Sequence, residues 1–247
     1  MLTIIQVGDN PASNVYIRNK IKAIEKAGMK TRVINVFESA STQTVIWHVK
    51  MASLDSKAVM VQLPLPPQIN KDEVLRAIPE DLDIDGLNPH SDYKPLTPCA
   101  IMRWLREKGV DLVGKDVTIL GRSELVGKPL ANMMIDAGAT VTVCNSKTRY
   151  GRRIKHCNTS DIVVSAVGKP NTISKYDVNE NRDQIFIDVG INRDEYGKLC
   201  GDISLTAQQA IIVSGSEYTP VPGGVGKWTV RELVLRLKEM EGVADVR

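Results

Sequence analysis

The sequence predicts an α/β fold with two domains and mostly parallel sheets. Short apolar runs rich in β-branched residues alternate with helix-periodic stretches along the whole chain. The length of 247 residues is enough for one or two domains, and 43% of the residues are hydrophobic against 25% charged. A disordered, collagen-like or disulfide-stapled chain is therefore excluded.

Several segments are predicted as buried strands because they are short, apolar and rich in β-branched residues. They are 2–7, 31–36, 57–63, 116–121, 140–144, 161–167 and 185–189. Helices are expected between them. The first helix, 11–27, is framed by Pro11, which suits the first helical position after Asn10, and by Gly28 just past its end. Further helices are predicted over about 98–108 and 228–241.

Two irregular segments mark the expected domain boundaries. The stretch 88–98 contains prolines and precedes a helix, and the segment 219–226 is rich in proline and glycine. Between them, 116–191 is predicted to alternate strand and helix up to a final strand, as in a Rossmann-type nucleotide-binding half. We therefore expect one domain from residues 1–108 and 222–247, and a Rossmann-type domain from residues 109–221.

Charge and residue usage exclude several classes of function. The 32 Lys+Arg nearly balance the 29 Asp+Glu, and there are only two Phe, three Trp and six Tyr, so nucleic acid is not expected as a partner. The four cysteines and three histidines show no metal-ligand spacing, so no metal site is expected. No signal peptide or apolar run of about 18 residues is present, so we expect no membrane association and a cytoplasmic location.

A glycine loop after the predicted strand 116–121 is the candidate for phosphate binding. The run Gly121-Arg-Ser-Glu-Leu-Val-Gly127 would open the helix of a βαβ unit, where backbone N–H groups and the helix dipole attract a phosphate. Ser123 replaces the second glycine of Gly-x-Gly-x-x-Gly, and the last glycine falls one residue late. A plain glycine turn is therefore the alternative.

The turn after the predicted strand 140–144 favours NADP over NAD. NAD enzymes place a carboxylate in this region to bind the ribose hydroxyls, and this turn has none. Instead, Ser146, Lys147 and Arg149, with Arg122 from the glycine loop, can hold a 2′-phosphate by charge-assisted hydrogen bonds. The alternative is a solvated basic turn.

Two elements of the first domain carry candidate catalytic residues. On the first helix, Tyr16 and Lys20 lie four residues apart, beside a predicted stripe of buried isoleucines. Gln62 ends an otherwise apolar strand, at the edge of the sheet where ligand sites of α/β proteins form. Taken alone, Lys20 would be a surface lysine, Tyr16 a packing residue and Gln62 a turn cap.

Several motifs together resemble the bifunctional methylenetetrahydrofolate dehydrogenase/cyclohydrolase family. They follow that family's order and span nearly the whole chain. Each is short, but their joint occurrence is specific. The motifs are Val7-Gly-Asp-Asn-Pro-Ala-Ser13 with Tyr16, Lys20 and Lys22-Ala23; Val61-Gln-Leu-Pro-Leu-Pro66; Asp83-Ile-Asp-Gly86; Gly121-Arg-Ser with Val126-Gly127; Ser165-Ala-Val-Gly-Lys-Pro170; Ile187-Asp-Val-Gly-Ile-Asn192; Gly201-Asp202; and Thr219-Pro-Val-Pro-Gly-Gly-Val-Gly226.

The resemblance implies a two-domain enzyme, usually a homodimer, with a folate-binding catalytic domain and an NADP domain. Such enzymes oxidise 5,10-methylenetetrahydrofolate to the 5,10-methenyl form by hydride transfer to NADP, and then hydrolyse that product to 10-formyltetrahydrofolate. Two alternatives are a dehydrogenase with little cyclohydrolase activity and, from a different class, a catalytically silent NADP-binding scaffold protein.

The resemblance also implies roles for single residues: Lys20 as the key catalytic group, Gln62 as its assistant, Tyr16 packed on the folate and Asp85 holding the pterin. The methenyl carbon is cationic, and a buried lysine that gives up its proton beside it can act as a general base. Asp85, an acceptor, matches the donor edge of the pterin. The further implied contacts are with the substrate, through Val61, Leu63, Pro222, Gly223 and Gly226, and with NADP, through Gly121, Arg122, Ser123, Ser146 and Ile191.

Several positions depart from the family pattern. The helix that normally precedes the first strand is missing from this sequence, and the loop 87–94 is shorter than usual. Leu82 stands where a lysine often precedes Asp-x-Asp-Gly, Leu96 replaces a cysteine, and Lys227-Trp228 replaces Pro-Met. We expect these changes to alter the shape of the cleft and the ratio of the two activities.

Overall fold

The chain forms two compact units, each with its own parallel sheet. The structure is a computed structural model that describes residues 1–242, apart from the side chain of Ala12. The first unit comprises Met1–Leu96 and the chain from Val230 on, and the second comprises Thr97–Thr229. The predicted α/β class with mostly parallel sheets is confirmed. Residues 243–247, part of the first predicted domain, lie outside the described residues.

The first unit is built on a three-stranded parallel sheet in the order β2-β1-β3. Its strands are β1 (Leu2–Val7), β2 (Thr31–Val36) and β3 (Ala58–Val61). All six residues of β1 are buried, as is typical of a parallel strand covered on both faces. A parallel bridge between Val59 and Asp83 places the Asp83 segment beside β3.

Helices cover both faces of this sheet. On one face, α2 (Thr42–Ser53) and α3 (Lys71–Arg76) pack on the side chains of Ile5, Val59 and Val61. On the other, α1 (Pro11–Lys26) and the C-terminal part of α8 (Val225–Met240) pack on Ile4 and Met60. Successive residues of β3 therefore face opposite sides of the sheet. Gln62, two residues after Met60, follows on the side that α1 covers.

The first helix has the predicted ends. Pro11 is its first residue, and Asn10 Oδ1 accepts a hydrogen bond from the Ser13 N–H at 3.1 Å. Gly28 follows the last turn with φ at 78°, a conformation that glycine adopts without strain. Ile17 and Ile24 are buried on the face that packs against the sheet. The predicted isoleucine stripe is confirmed at these two positions.

The second unit is built on a five-stranded parallel sheet in the order β10-β7-β6-β4-β5. After β4 the chain forms β5 on one side, and then crosses to form β6 on the other side of β4. The order in which the chain adds strands therefore reverses at β4, which leaves a switch point at the carboxyl ends of β4 and β6. The strands are β4 (Asp116–Leu120), β5 (Thr140–Cys144), β6 (Ile162–Ser165), β7 (Ile185–Asp188) and β10 (Glu217–Tyr218).

The second unit also contains helices and one small hairpin. The helices within it are α5 (Gly127–Asp136), α6 (Tyr150–Thr159) and α7 (Leu205–Val213), and α4 (Leu96–Glu107) leads into it. The hairpin pairs β8 (Asn192–Arg193) with β9 (Leu199–Cys200) in antiparallel fashion. None of the described helices has the length and apolar character that a membrane crossing requires.

The division into units differs from the predicted domain bounds at both junctions. The prediction assigned 1–108 and 222–247 to the first domain and 109–221 to the second. Instead, Thr97–Glu107 and the start of α8 belong to the second unit. The physical reason is packing, because Ile101, Leu105 and Val225 are buried in the hydrophobic core of that unit.

Two local predictions need correction. The helix expected between β6 and β7 is a single 3-10 turn, Lys175–Asp177. The buried Asp177 carboxylate accepts hydrogen bonds from Ser174 and Arg153, and this polar anchor replaces a packed helix face. The predicted strand 57–63 ends at Val61, before the prolines that follow Leu63.

Candidate functional site

Lys20 and Gln62 meet at the carboxyl end of β3. Lys20 lies on α1, and its Nζ donates to Gln62 Oε1 and to Met60 Sδ, both at 3.1 Å. The Lys20 side chain is only 9% exposed. Gln62 Nε2 donates to the Leu63 carbonyl at 2.6 Å, which holds the amide with its oxygen toward Lys20. A buried amine is thus fixed by two uncharged acceptors, one of them at the edge of the sheet where the strand ends.

Asp85 lies close enough to Lys20 for their charges to interact. Because Asp83 pairs with Val59, Asp85 comes level with the end of β3. The pKa of Asp85 is raised above its ordinary value, because the effect of burial is larger than the opposing effect of the positive charges of Lys20 and Arg236. The structure therefore brings together three of the predicted residues, Lys20, Gln62 and Asp85, within the first unit.

Arg236 was not predicted from the sequence and joins this cluster from α8. Its side chain is 6% exposed, and its Nη1 donates to the Ile84 carbonyl at 2.8 Å. The guanidinium carbon lies 5.2 Å from the centre of the Tyr93 ring. One signal was present in the sequence: a charged residue next to the apolar positions 233 and 237 of the last helix.

Gly86 shapes the loop that follows Asp85. Its φ is 65°, and a Cβ atom on it would lie 2.5 Å from the Lys94 carbonyl oxygen and 2.6 Å from that of Tyr93. Only glycine lets the returning chain pass so closely. This close approach carries Tyr93 back to the Asp85 segment, where its ring meets Arg236.

The other predicted substrate residues lie in different surroundings. Tyr16 is one helical turn before Lys20 and partly exposed, and burial raises the pKa of its hydroxyl. The Val61 side chain is 1% exposed and packs on the α2 face of the sheet, so a substrate could meet only its backbone. Leu63 is partly exposed. Pro222, Gly223 and Gly226 belong to the second unit, around the start of α8.

In the second unit, four strands end in one row. The register pairs Leu120 of β4 with Cys144 of β5 and with Ser165 of β6, and it pairs Ser165 with Asp188 of β7. The loops that leave this row carry every residue predicted to contact the cofactor: Gly121, Arg122 and Ser123 after β4, Ser146 after β5, and Ile191 after β7. The carboxyl edge of a parallel sheet at its switch point is where such folds bind ligands.

The glycine loop is packed too tightly for any side chain at two points. Gly121 has φ at 106°, and a Cβ on it would collide with the Ala166 carbonyl oxygen. A Cβ on Gly127 would collide with the Gly121 carbonyl oxygen. Ser123 Oγ accepts from the Val126 N–H at 3.2 Å and so caps the turn before α5. The bare backbone at the start of a helix forms a cradle that a dinucleotide phosphate fits.

The basic turn after β5 is compact and exposes its cations. Asn145 Oδ1 accepts from the Lys147 N–H at 2.8 Å, and Thr148 Oγ1 accepts from the Asn145 N–H at 3.0 Å. The side chains of Ser146, Lys147 and Arg149 are exposed, as is that of Arg122. Among the described residues, Arg122, Lys147 and Arg149 form no ion pair, so the turn can present hydroxyl and cationic donors to a phosphate directly.

Two buried aspartates tie together the loops after β6 and β7. The Asp202 carboxylate accepts five hydrogen bonds, from Ser165 Oγ, Asn192 Nδ2 and the backbone N–H groups of residues 167, 168 and 169. The Asp188 carboxylate accepts from the N–H groups of Gly190, Asp202 and Ile203, each at 2.9 Å. The sequence motifs contained both residues, but spacing alone gave no sign of this network.

Two family profiles together cover most of the chain. The profile described as the catalytic domain of tetrahydrofolate dehydrogenase/cyclohydrolase matches residues 1–85. The profile described as its NAD(P)-binding domain matches residues 95–242. The chain belongs to the tetrahydrofolate dehydrogenase/cyclohydrolase family.

Individual members of the tetrahydrofolate dehydrogenase/cyclohydrolase family are similar over nearly the full chain. The bifunctional protein FolD of Streptococcus thermophilus is 40% identical over 244 residues, which are 94% of this chain and 84% of that protein. The crystal structure of the FolD enzyme of Campylobacter jejuni is 36% identical, with a TM-score of 0.88 over 98% of this chain and 88% of that one.

A further solved member of the tetrahydrofolate dehydrogenase/cyclohydrolase family carries a cofactor. The Trypanosoma brucei enzyme, complexed with NADP and an inhibitor, is 31% identical, with a TM-score of 0.87 over 97% of this chain and 85% of that one. Within residues 1–242, no group of three His, Cys, Asp or Glu side chains is placed to hold a metal ion.

Proposed function

We propose that this chain oxidises 5,10-methylenetetrahydrofolate to 5,10-methenyltetrahydrofolate with NADP and hydrolyses the product to 10-formyltetrahydrofolate. Family membership supports the proposal, and one structural observation carries it: the buried Lys20 amine held by Gln62 at the carboxyl end of β3. The contact holds in place an amine that can act as the general base when the cationic methenyl carbon is hydrolysed.

The residues of the second unit are suited to NADP. The bare backbone of Gly121 and Gly127 leaves room for the pyrophosphate, and the exposed Arg122 and Ser146 can bind the 2′-phosphate. When bound, NADP supplies the hydride acceptor of the dehydrogenase step. The part of the chain that we assign to it is the row of loops after β4, β5, β6 and β7, including Ser123 and Ile191.

For hydrolysis, Lys20 has the chemistry of a general base. In its neutral form the amine can take a proton from a water molecule that attacks the methenyl carbon. Gln62 Oε1 accepts a hydrogen bond from Nζ and so keeps the amine in place in both protonation states. Because the amide carries no charge, it orients Lys20 without placing a permanent charge beside the cationic carbon.

We assign the orientation of the substrate to Asp85 and Tyr16. We assign Asp85 to the donor edge of the pterin, because an ionised carboxylate offers only acceptors. Tyr16 lies one turn from Lys20 on the same face of α1, and this position supports its assignment to packing on the folate. We also assign substrate contacts to Leu63 and to the backbone of Val61 in the first unit. Pro222, Gly223 and Gly226 of the second unit are assigned to the substrate from the family resemblance.

Two less specific features belong to the same proposal. The described cysteines are free thiols, which supports a reducing, cytoplasmic location.

A homodimer is proposed from the family resemblance, and light scattering of the purified protein measures its mass directly. A mass of about 27 kDa would contradict the dimer, since the monomer has a mass of 27.2 kDa.

The decisive experiment is turnover of methylenetetrahydrofolate with NADP, followed by the absorbance of the methenyl intermediate. We expect turnover with little accumulation of methenyltetrahydrofolate. Accumulation would replace the proposal with a dehydrogenase that has little cyclohydrolase activity. NADP binding without any turnover would contradict the enzymatic assignment and favour a scaffold protein.

A further inference from the structure

The segment that carries Asp85 is strongly acidic, reading Asp-Leu-Asp-Ile-Asp over residues 81–85. Asp83 is fully buried, and among the described residues its Oδ1 has no hydrogen-bond partner. Burial raises the pKa of Asp83, and so does the charge of Asp85. An ionised Asp85 therefore depends on positive charge that comes from other parts of the chain.

Arg236 brings such a charge from α8. Its guanidinium is buried, holds the Ile84 carbonyl at 2.8 Å, immediately before Asp85, and stacks near the Tyr93 ring. A guanidinium keeps its proton at every pH at which a protein is folded. The charge of Arg236 is therefore constant, and its position is fixed from two sides.

Lys20 is the other cation beside Asp85, and its charge is not constant in the proposed reaction. As the general base, Lys20 passes between a neutral and a charged form in each turnover. Whenever Lys20 is neutral, Arg236 alone of these two opposes the cost of burying the Asp85 charge. The ionisable groups around Asp85 are thus Lys20 from α1, Arg236 from α8 and Asp83 from its own segment, with Glu239 beside Tyr93.

We propose that Arg236 is a positioning residue for the pterin. It fixes the Asp83–Gly86 segment through the Ile84 carbonyl, and it supplies a permanent positive charge that favours the ionised, acceptor form of Asp85 at each stage of the reaction. This inference rests on the proposed function, in which Asp85 binds the tetrahydrofolate substrate. It adds a residue of this chain that acts on the substrate through Asp85 rather than by touching it.

The test separates the charge of Arg236 from its hydrogen bond. Arg236→Gln keeps a donor for the Ile84 carbonyl and removes the charge, whereas Arg236→Lys keeps the charge. Arg231→Met, at an exposed position of the same helix, is the matched control. Arg236→Met serves as a second uncharged variant if Arg236→Gln does not fold.

The first readout is the titration of Asp85, followed by carboxyl 13C NMR of the full chain and assigned through Asp85→Asn. We expect Arg236→Gln to move the Asp85 midpoint upward by about one pH unit or more. Arg236→Lys and Arg231→Met should leave it near the value of the unaltered protein. A folded, uncharged variant with an unchanged midpoint would overturn the proposal, as would an Arg236→Lys variant that behaves like Arg236→Gln.

The second readout is kinetic. Arg236→Gln should raise KM for methylenetetrahydrofolate about tenfold, with a smaller change in kcat, and shift the acid limb of the kcat/KM profile to higher pH. A purely structural role would lower activity without moving that limb. The titration needs no turnover, so an inactive parent protein with the expected Asp85 shifts would refute the proposed function and leave the electrostatic role of Arg236 standing.

Discussion

Gly190 and Asp202 approach so closely that a Cβ atom on Gly190 would overlap the Asp202 carboxylate. The relationship is reciprocal, because a Cβ on Gly201 would overlap the carboxylate of Asp188. Each glycine thus leaves space for the aspartate of the other loop. The two carboxylates then use that space to hold the backbone after β6 and β7.

Replacing Gly190 with Ala should therefore destabilise the protein by about 1–3 kcal/mol, because the buried network must shift to admit the methyl group. Affinity for NADP should fall as well, since the loop of residues 167–169 is held by Asp202. Denaturant unfolding and NADP titration measure the two effects. Gly151→Ala is the control: nothing lies within 4 Å of its Cβ position, and alanine in α6 should stabilise by under about 1 kcal/mol. Equal stability of the two variants would contradict this account.

Asp188 should make stability depend on pH. Burial raises its pKa from 3.8 to about 6, so the folded protein holds this proton more tightly than the unfolded chain does. The resulting stabilisation, on the order of 2–3 kcal/mol, is complete below about pH 4 and is lost as the pH rises through about 6. Asp188→Asn cannot titrate, so the unfolding free energy of the parent minus that of the variant should fall across this range. A flat difference would show that Asp188 does not titrate there.

Lys20→Met should abolish the hydrolytic step while leaving the cofactor site intact. Loss of a general base typically lowers the rate by about 100-fold or more, so methenyltetrahydrofolate supplied directly should persist. NADP binding should not change, because Lys20 belongs to the other unit. Lys26→Met, exposed on the same helix, is the matched control. Normal hydrolysis by the Lys20 variant would remove this residue from the mechanism.

Cofactor preference should depend on Arg122 and Ser146. Replacing both with Ala removes donors to a 2′-phosphate, and charge-assisted bonds of this kind contribute roughly tenfold or more to discrimination. The ratio of kcat/KM for NADP to that for NAD should narrow accordingly. Lys155→Ala, an exposed cation on α6, should leave the ratio unchanged. An unaltered ratio in the double variant would show that other residues select the cofactor.

Local patterns were sufficient to predict much of the fold and part of the site. The ends of α1 follow from Pro11 and Gly28, since both act within the helix that they frame. The positions of Lys20 and Gln62 on their own elements followed from local patterns, whereas their catalytic roles were predicted only from the family motifs, because each residue taken alone favoured a surface lysine or a turn cap.

Features that depend on distant packing were not predictable in the same way. Arg236 reaches the Ile84 carbonyl across 152 positions of sequence, and no periodicity reports such a contact. Asp202 gathers donors from residues up to 37 positions away. The segment between β6 and β7 contains a 3-10 turn because the buried Asp177 anchors it to α6, a tertiary interaction that overrides local propensity.

The first unit is completed by a part of the chain that is synthesised after the second unit. Its apolar cluster of Leu2, Ile4 and Met60 also requires Leu233 and Leu237 of α8, which leave the ribosome only after the whole of Thr97–Thr229 has been made. The second unit is continuous and can fold as soon as it emerges. Until then the three-stranded sheet of the first unit has one open apolar face, so dependence on chaperones during translation should be concentrated in that unit.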